Sequence, residues 1–188
     1  MKHFQPIKSV LVVIVISIFL TGCSKEDLSK SDGLANITIK LKRTLGQTQH
    51  VYLDIKAIQF KVSTALDVEH WVSLSTVNFG VYNMDNFSQN NPLLLIENLA
   101  VKADYVYELR LMLGDGNFIS INNILHSLDV EDLGNAYPSN RIETQLKSNR
   151  HYDIVIDINI DDSIHFNEDE NMMVLSPQLY TTIRQTEY

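Results

Sequence analysis

Oxygen-bearing side chains recur at ligand spacing in one stretch of this chain, Asp157-Ile158-Asn159-Ile160-Asp161-Asp162-Ser163-Ile164-His165-Phe166-Asn167-Glu168. Counted from Asp157, positions 1, 3, 5, 7 and 12 all carry oxygens, the ring that a hard cation such as Ca²⁺ takes in an EF-hand. Position 6, where the sharp turn needs glycine, is Asp162, and the incoming residues are β-branched. The stretch therefore reads as a strand with a polar outer face running into an acidic turn. A looser surface Ca²⁺ site drawn from Asp161, Asp162, Glu168, Asp169 or Glu170 is the alternative.

Other chemistry is thinner. His50, His70, His126, His151 and His165 are scattered, with no pair two or four residues apart that would present imidazoles together, so no metal is expected. Gly114-Asp115-Gly116-Asn117 lacks the following helix that would supply an anion-binding dipole, and no Gly-x-Ser-x-Gly elbow occurs. Glu131-Asp132 reads as solvated charge in a polar loop. No catalytic residues and no cofactor are assigned. Stacking platforms for sugars are the remaining possibility: Tyr82, Tyr137 and Tyr152 lie beside loop residues, whereas Trp71, bracketed by Val72 and Leu74, reads as a core plug. Asp162-Ser163-Ile164 also resembles a Bacteroidota O-glycosylation acceptor.

The elements that must position these groups alternate with period two. Ile37, Ile39 and Leu41 alternate with Thr38, Lys40 and Lys42; Val51, Leu53 and Ile55 do the same, then parity shifts to Ile58, Phe60 and Val62, which predicts a β-bulge near Lys56-Ala57. Trp71–Leu74 and Val77–Met84 are shorter candidates. Tyr105, Tyr107, Leu109, Leu111 and Leu113 form an odd-numbered stripe, and Gly114 to Asn117 predicts a hairpin turn into Phe118–Ile121, the glycines supplying positive φ. Ile154, Ile156, Ile158 and Ile160 make another strand, and Met172–Leu175 and Leu179–Ile183 flank Pro177. Asp85–Pro92 and Gly134–Asn140 read as polar loops. About nine or ten short strands imply an all-β fold, an antiparallel β-sandwich.

The 188 residues are 45% hydrophobic and 20% charged, enough for one core and too apolar for a disordered chain. The net charge of −8 opposes nucleic-acid binding. One cysteine excludes a disulfide scaffold. It sits after a basic start carrying Lys2 and Lys8 and an apolar run from Val10 to Leu20, which as a helix would cross only about half of a ~30 Å hydrocarbon core. That layout is a secretory signal. Leu20-Thr21-Gly22-Cys23 resembles the lipobox of bacterial lipoproteins, which implies cleavage after Gly22 and lipidation of Cys23. Ser24-Lys25-Glu26-Asp27 is similar to the export signal of Bacteroidota lipoproteins, with Lys25, Glu26 and Asp27 directing the protein to the outer face of the outer membrane. The expected organisation is a signal peptide over 1–22, a lipidated tether over 23–33 and a sandwich domain over 34–188.

Within that domain, Tyr52-Leu53-Asp54-Ile55-Lys56, Trp71, the run from Leu109-Arg110-Leu111-Met112-Leu113 through Gly114 to Asn117, Asp157 to Ile164 and Leu175-Ser176-Pro177 together resemble the domain of unknown function 4382 family of secreted proteins and lipoproteins. The resemblance implies an immunoglobulin- or transthyretin-like sandwich and carries no functional residues. Where the family turns into the Tyr105 strand through a Pro-Ala-Gly-like corner, this chain has Leu99 to Asp104. The expected function is a membrane-anchored, surface-exposed binding or adhesion module for glycan or protein. The rivals are a structural or assembly subunit of the envelope, working through its edge strands, and a hydrolase without a recognisable motif.

Overall fold

The computed structural model describes residues 33–44, 50–63, 68–75, 78–130 and 139–186. Leu20 to Cys23, Lys25, Glu26, Asp27, Glu131, Asp132 and Tyr137 lie outside the described residues. Among the described residues thirteen strands form: β1 (Leu34–Arg43), β2 (His50–Ser63), β3 (Glu69–Leu74), β4 (Gly80–Asn83), β5 (Leu93–Lys102), β6 (Tyr105–Leu113), β7 (Phe118–Ile121), β8 (Ile124–Val130), β9 (Ser139–Gln145), β10 (His151–Asn159), β11 (Ile164–Asn167), β12 (Met172–Leu175) and β13 (Gln178–Thr186). One helical turn, α1 (Ile160–Ser163), follows β10, so Ile160 leaves the predicted strand while staying buried. Among the described residues no helix is long and apolar enough to cross a membrane.

The strands build the all-β sandwich that the alternation implies, from a four-stranded sheet ordered β13-β10-β1-β5 and a nine-stranded sheet. The large sheet runs β11-β12-β8-β7-β2-β6-β9, with β3 and β4 also on β2. The sheets are mixed rather than wholly antiparallel: β1 pairs β10 in parallel, and so does β12 with β8. Ile37, Ile39 and Leu41 of β1 and Ile154, Ile156 and Ile158 of β10 are fully buried and meet Leu53, Ile55, Ile58, Leu109 and Leu111 of the large sheet in one core. Their outer faces are polar, with Lys42 on Asp157 at 2.6 Å and Lys40 near Asp153 at 3.7 Å.

The expected bulge lies where the parity shift puts it, between Ile55 and Ala57 of β2. A second one, between Val106 and Glu108, breaks the odd-numbered stripe of β6: Val106, Leu109 and Leu111 face the core, while Tyr105 turns outward. Asn140 is the second residue of β9 rather than part of a loop. Its side-chain amide donates to the Leu179 carbonyl at 3.1 Å and accepts from the Thr181 amide at 2.9 Å, lacing the large sheet to β13. Ala103 and Asp104 alone form the corner from β5 into β6, and the Ala103 amide donates to the Gly33 carbonyl at 2.9 Å.

The hairpin expected at Gly114 to Asn117 does not form. β6 and β7 both run antiparallel to β2 along the same edge, Leu113 opposite Ile55 and Phe118 opposite Tyr52, with β4 on the other edge of Tyr52 through Asn83. The four intervening residues are an excursion from one continuing strand, and it is laid over Asp54. The Gly114 amide donates to the Asp54 carbonyl at 2.7 Å and the Gly116 amide to its carboxylate at 3.2 Å. Asn117, fully buried, accepts from the Asp54 amide at 2.9 Å and donates to the Gly114 carbonyl at 2.6 Å. Lys56 completes the shell of the carboxylate at 2.9 Å.

The glycines are there for close approach, since among the described glycines only Gly80 has positive φ. A Cβ on Gly114 would lie 2.2 Å from Lys56 Cε and 2.3 Å from Asp54 Oδ2, whereas one on Gly116 would meet Asp54 Oδ2 at 3.2 Å. Gly114→Ala is therefore expected to break the Asp54–Lys56 arrangement and cost about 1–3 kcal/mol, and Gly116→Ala roughly 1 kcal/mol or less. Urea unfolding of both variants checks this; equal midpoints would show that the excursion is not held on Asp54.

Candidate functional site

Chemistry-bearing side chains collect on the outer face of the large sheet, where β3, β2, β6 and β9 lie side by side. Because Ile58, Phe60 and Val62 of β2 point into the core, Gln59 and Lys61 point away from it. Register then sets the neighbours. Gln59 faces Ser73 on one side and Arg110 on the other, and Lys61 lies between Trp71 and Glu108. The next strand continues both rows, with Ser139 beside Arg110 and Arg141 beside Glu108.

Trp71 is thus not the core plug that its neighbours Val72 and Leu74 suggest. Leu74 fills the core from the opposite face of β3, Val72 is 39% exposed, and the indole is half-buried on the outer face. The Arg110 guanidinium carbon sits 3.9 Å from the centre of the indole ring, within range of a cation–π contact. Arg110 Nε donates to Gln59 Oε1 at 2.6 Å, and Gln59 Nε2 donates to Ser73 Oγ at 2.7 Å. A guanidinium, an amide and a hydroxyl on three adjacent strands are locked into one hydrogen-bonded row. Below it, Lys61 reaches Glu69 at 2.6 Å and Glu108 at 3.2 Å. Tyr105 and Tyr107 extend the aromatic surface along β6, edge to face with ring centres 4.7 Å apart.

The tyrosines chosen from sequence fare differently. Tyr152 is 4% exposed and belongs to the core, its hydroxyl accepting from the Lys147 amide at 2.8 Å, so it cannot be a stacking platform. Tyr82 is half-buried against Phe87, with ring centres 6.0 Å apart. Tyr180, which sequence reasoning passed over, is 62% exposed on β13 beside Asp157. Its alternation with Leu179 was the available signal.

The acids of the EF-hand-like stretch do not converge. Asp157 is engaged by Lys42 and by Thr44 Oγ1, the latter at 2.7 Å; Asp162 accepts from Asn159 at 2.6 Å in α1. Glu168, Asp169 and Glu170 lie in the turn between β11 and β12, where Asn167 Oδ1 accepts from the backbone amides of Asp169 and Glu170. Among the described residues no group of three or more His, Cys, Asp or Glu side chains could hold a metal ion. His151 is buried against Thr38 Oγ1 at 3.2 Å, and His50 joins Arg43 on the Asp85 carboxylate, tying the ends of β1 and β2 to the short helical turn at Met84–Asn86.

Fold and site together define an all-β sandwich domain whose large sheet presents a polar and aromatic outer face. The chain belongs to the family described as Domain of unknown function (DUF4382), which matches residues 35–177. No curated protein and no solved structure matches it.

The two carboxylates beside Lys61 raise its pKa above the ordinary lysine value, Glu69 by the larger hydrogen-bond contribution and Glu108 by the next. A raised folded-state pKa gives stability that is complete below the unfolded value and lost as the pH rises through the folded one. An NMR titration of the Lys61 side chain should show a midpoint above that of an exposed lysine, lowered by Glu69→Gln and by Glu108→Gln. A midpoint indifferent to both changes would remove the row of charges from the site.

Proposed function

We propose that this chain is a non-catalytic, lipid-anchored binding module of a Gram-negative cell surface, and that it takes glycan on the outer face of its large sheet. The observation behind the binding reading is Trp71, half-buried on the outer face with Arg110 over its ring and flanked by Gln59, Ser73 and Lys61. Sugars are bound by aromatic surface together with planar hydrogen-bonding groups, and side chains already fixed by their neighbours lose little entropy when a ligand arrives. The guanidinium covers part of the indole, so the ligand meets the Arg110–Trp71 stack as one unit. A glycan array probed with the purified full chain should give hits that fall at least about tenfold in Trp71→Ala and in Arg110→Ala, with urea midpoints little changed. Hits that persist in both variants, or an array without hits, would discard this surface as the site.

Anchoring is the second half of the reading, and Leu20-Thr21-Gly22-Cys23 with Lys25-Glu26-Asp27 supports it. One acyl chain holds a protein only marginally at a membrane, at about 0.8 kcal/mol per buried CH₂, whereas two or more make retention stable. Losing a leader that carries Lys2 and Lys8 also leaves the remainder more acidic than the whole chain, so it offers no polybasic attraction to anionic lipid. Metabolic labelling with palmitate in the native host should mark the protein and fail to mark Cys23→Ser. Equal labelling of both would overturn the anchor without touching the glycan site.

A further inference from the structure

β7 and β8 are joined by Asn122 and Asn123 alone, both at positive φ (50° and 63°), so Ile121 and Ile124 close a two-residue turn as a hydrogen-bonded pair. From that pair the backbone groups of β8 alternate: those of Ile124 and His126 turn toward β7, and those of Leu125 and Ser127 toward the opposite edge. The Leu128 amide keeps the count, donating to the Asn117 carbonyl at 2.9 Å. On the opposite edge, β12 covers only Leu128 to Val130, through Met173 to Leu175. The register of β12 brings the Met173 amide to the Ser127 carbonyl, and no strand among the described residues covers the Leu125 N–H and C=O or the Ser127 N–H on that edge.

That edge lines a cleft of about 820 Å³, bordered also by Asp115 and by Phe166 and Met173 of the β11–β12 arm. Leu125 is 61% exposed and Phe166 52%, large apolar side chains left in water at the cleft. Among the described residues its charged lining is Asp115 and Asp129, with no Lys or Arg, and the exposed turn leading to Asn171 adds Glu168, Asp169 and Glu170. Unpaired strand groups, apolar side chains beside them and one sign of charge are the components of strand addition.

We propose that this edge of β8 accepts an extended segment of a partner protein as an added strand, with apolar and basic side chains alternating along it. The partner's backbone pairs with Leu125 and with the Ser127 amide; its basic side chains lie on the face of Leu125 and Asp129, and its apolar ones on the opposite face, with Ile124 and Phe166. A peptide of alternating valine and lysine is the probe, titrated into the purified full chain by fluorescence anisotropy. It should bind, and weaken at least about tenfold when alternate backbone nitrogens are methylated or when glutamate replaces lysine. Ser127→Pro should weaken it similarly, since proline is tolerated on an edge strand but removes the outward N–H.

Absence of binding by the valine–lysine peptide would overturn the proposal. So would equal binding of the methylated peptide, a result that needs no variant to fold. Concentration-dependent self-association of the full chain, abolished by Ser127→Pro, would assign the edge to a second copy of this chain instead.

Discussion

β2 carries ladders on both edges along half of its 14 residues, and the large sheet is organised around that fact. Tyr52 pairs with Asn83 on one side and Phe118 on the other; Ile58 pairs with Leu74 and Leu111. A strand bounded twice has no freedom to slip, because a shift of one residue would turn Leu53, Ile58 and Phe60 out of the core. The bulge between Ile55 and Ala57 is what lets both halves of β2 keep their apolar residues inward. It falls beside Asp54, which the excursion from Gly114 to Asn117 covers, and so one buried carboxylate marks the point where both partners on that edge change register.

The outer-face site follows from the same constraint. Gln59 and Lys61 lie on the second half of β2, between β3 and β6, and their positions are inherited from the register of both ladders. Trp71 meets Arg110 across Gln59 and Lys61 only because β3 and β6 occupy opposite edges of one strand. Long side chains on adjacent strands normally pay rotamer entropy to hold a geometry. Here each planar group is fixed by a neighbour already fixed by the ladder, so the cost falls on folding and not on binding.

Alternation reports which face a residue takes, and that much was legible: Ile37, Ile39, Leu41, Ile154, Ile156 and Ile158 all reach the core, and the parity shift located the β2 bulge. Partners were not legible. β1 pairs in parallel with β10, Asn36 opposite His151, and nothing in either stripe says which strand lies beside it. In sequence, Gly114 reads as a turn residue, whereas the backbone there needs proximity to Asp54; the two-residue turn, Asn122-Asn123 between isoleucines, has its own signal in residues that tolerate positive φ. Trp71 misled because its sequence neighbours describe the other face of β3, and a bulge the stripe did not announce turned Tyr105 outward.

Unequal sheets explain why an unfilled edge exists at all. Four strands cannot cover the inner face of nine, so the small sheet protects the part of the large one built on β2, β6 and β7, where side chains are fully buried. Leu128 of β8 and Leu175 of β12 still reach the core, but the first half of β8 extends beyond that cover, and there Ile124 and Leu125, neighbours pointing to opposite faces, are both 61% exposed. A strand wet on both faces gains little from burial and depends on its ladders. β8 pairs with β7 from Ile124 to Ser127 and with β12 from Leu128 to Val130, so its first half has a ladder on one side alone. An exposed apolar edge is an aggregation liability unless it is blocked, and β8 carries neither Lys nor Pro at Ile124 to Ser127 to block it. The added strand proposed for this edge would supply both the missing ladder and the missing cover.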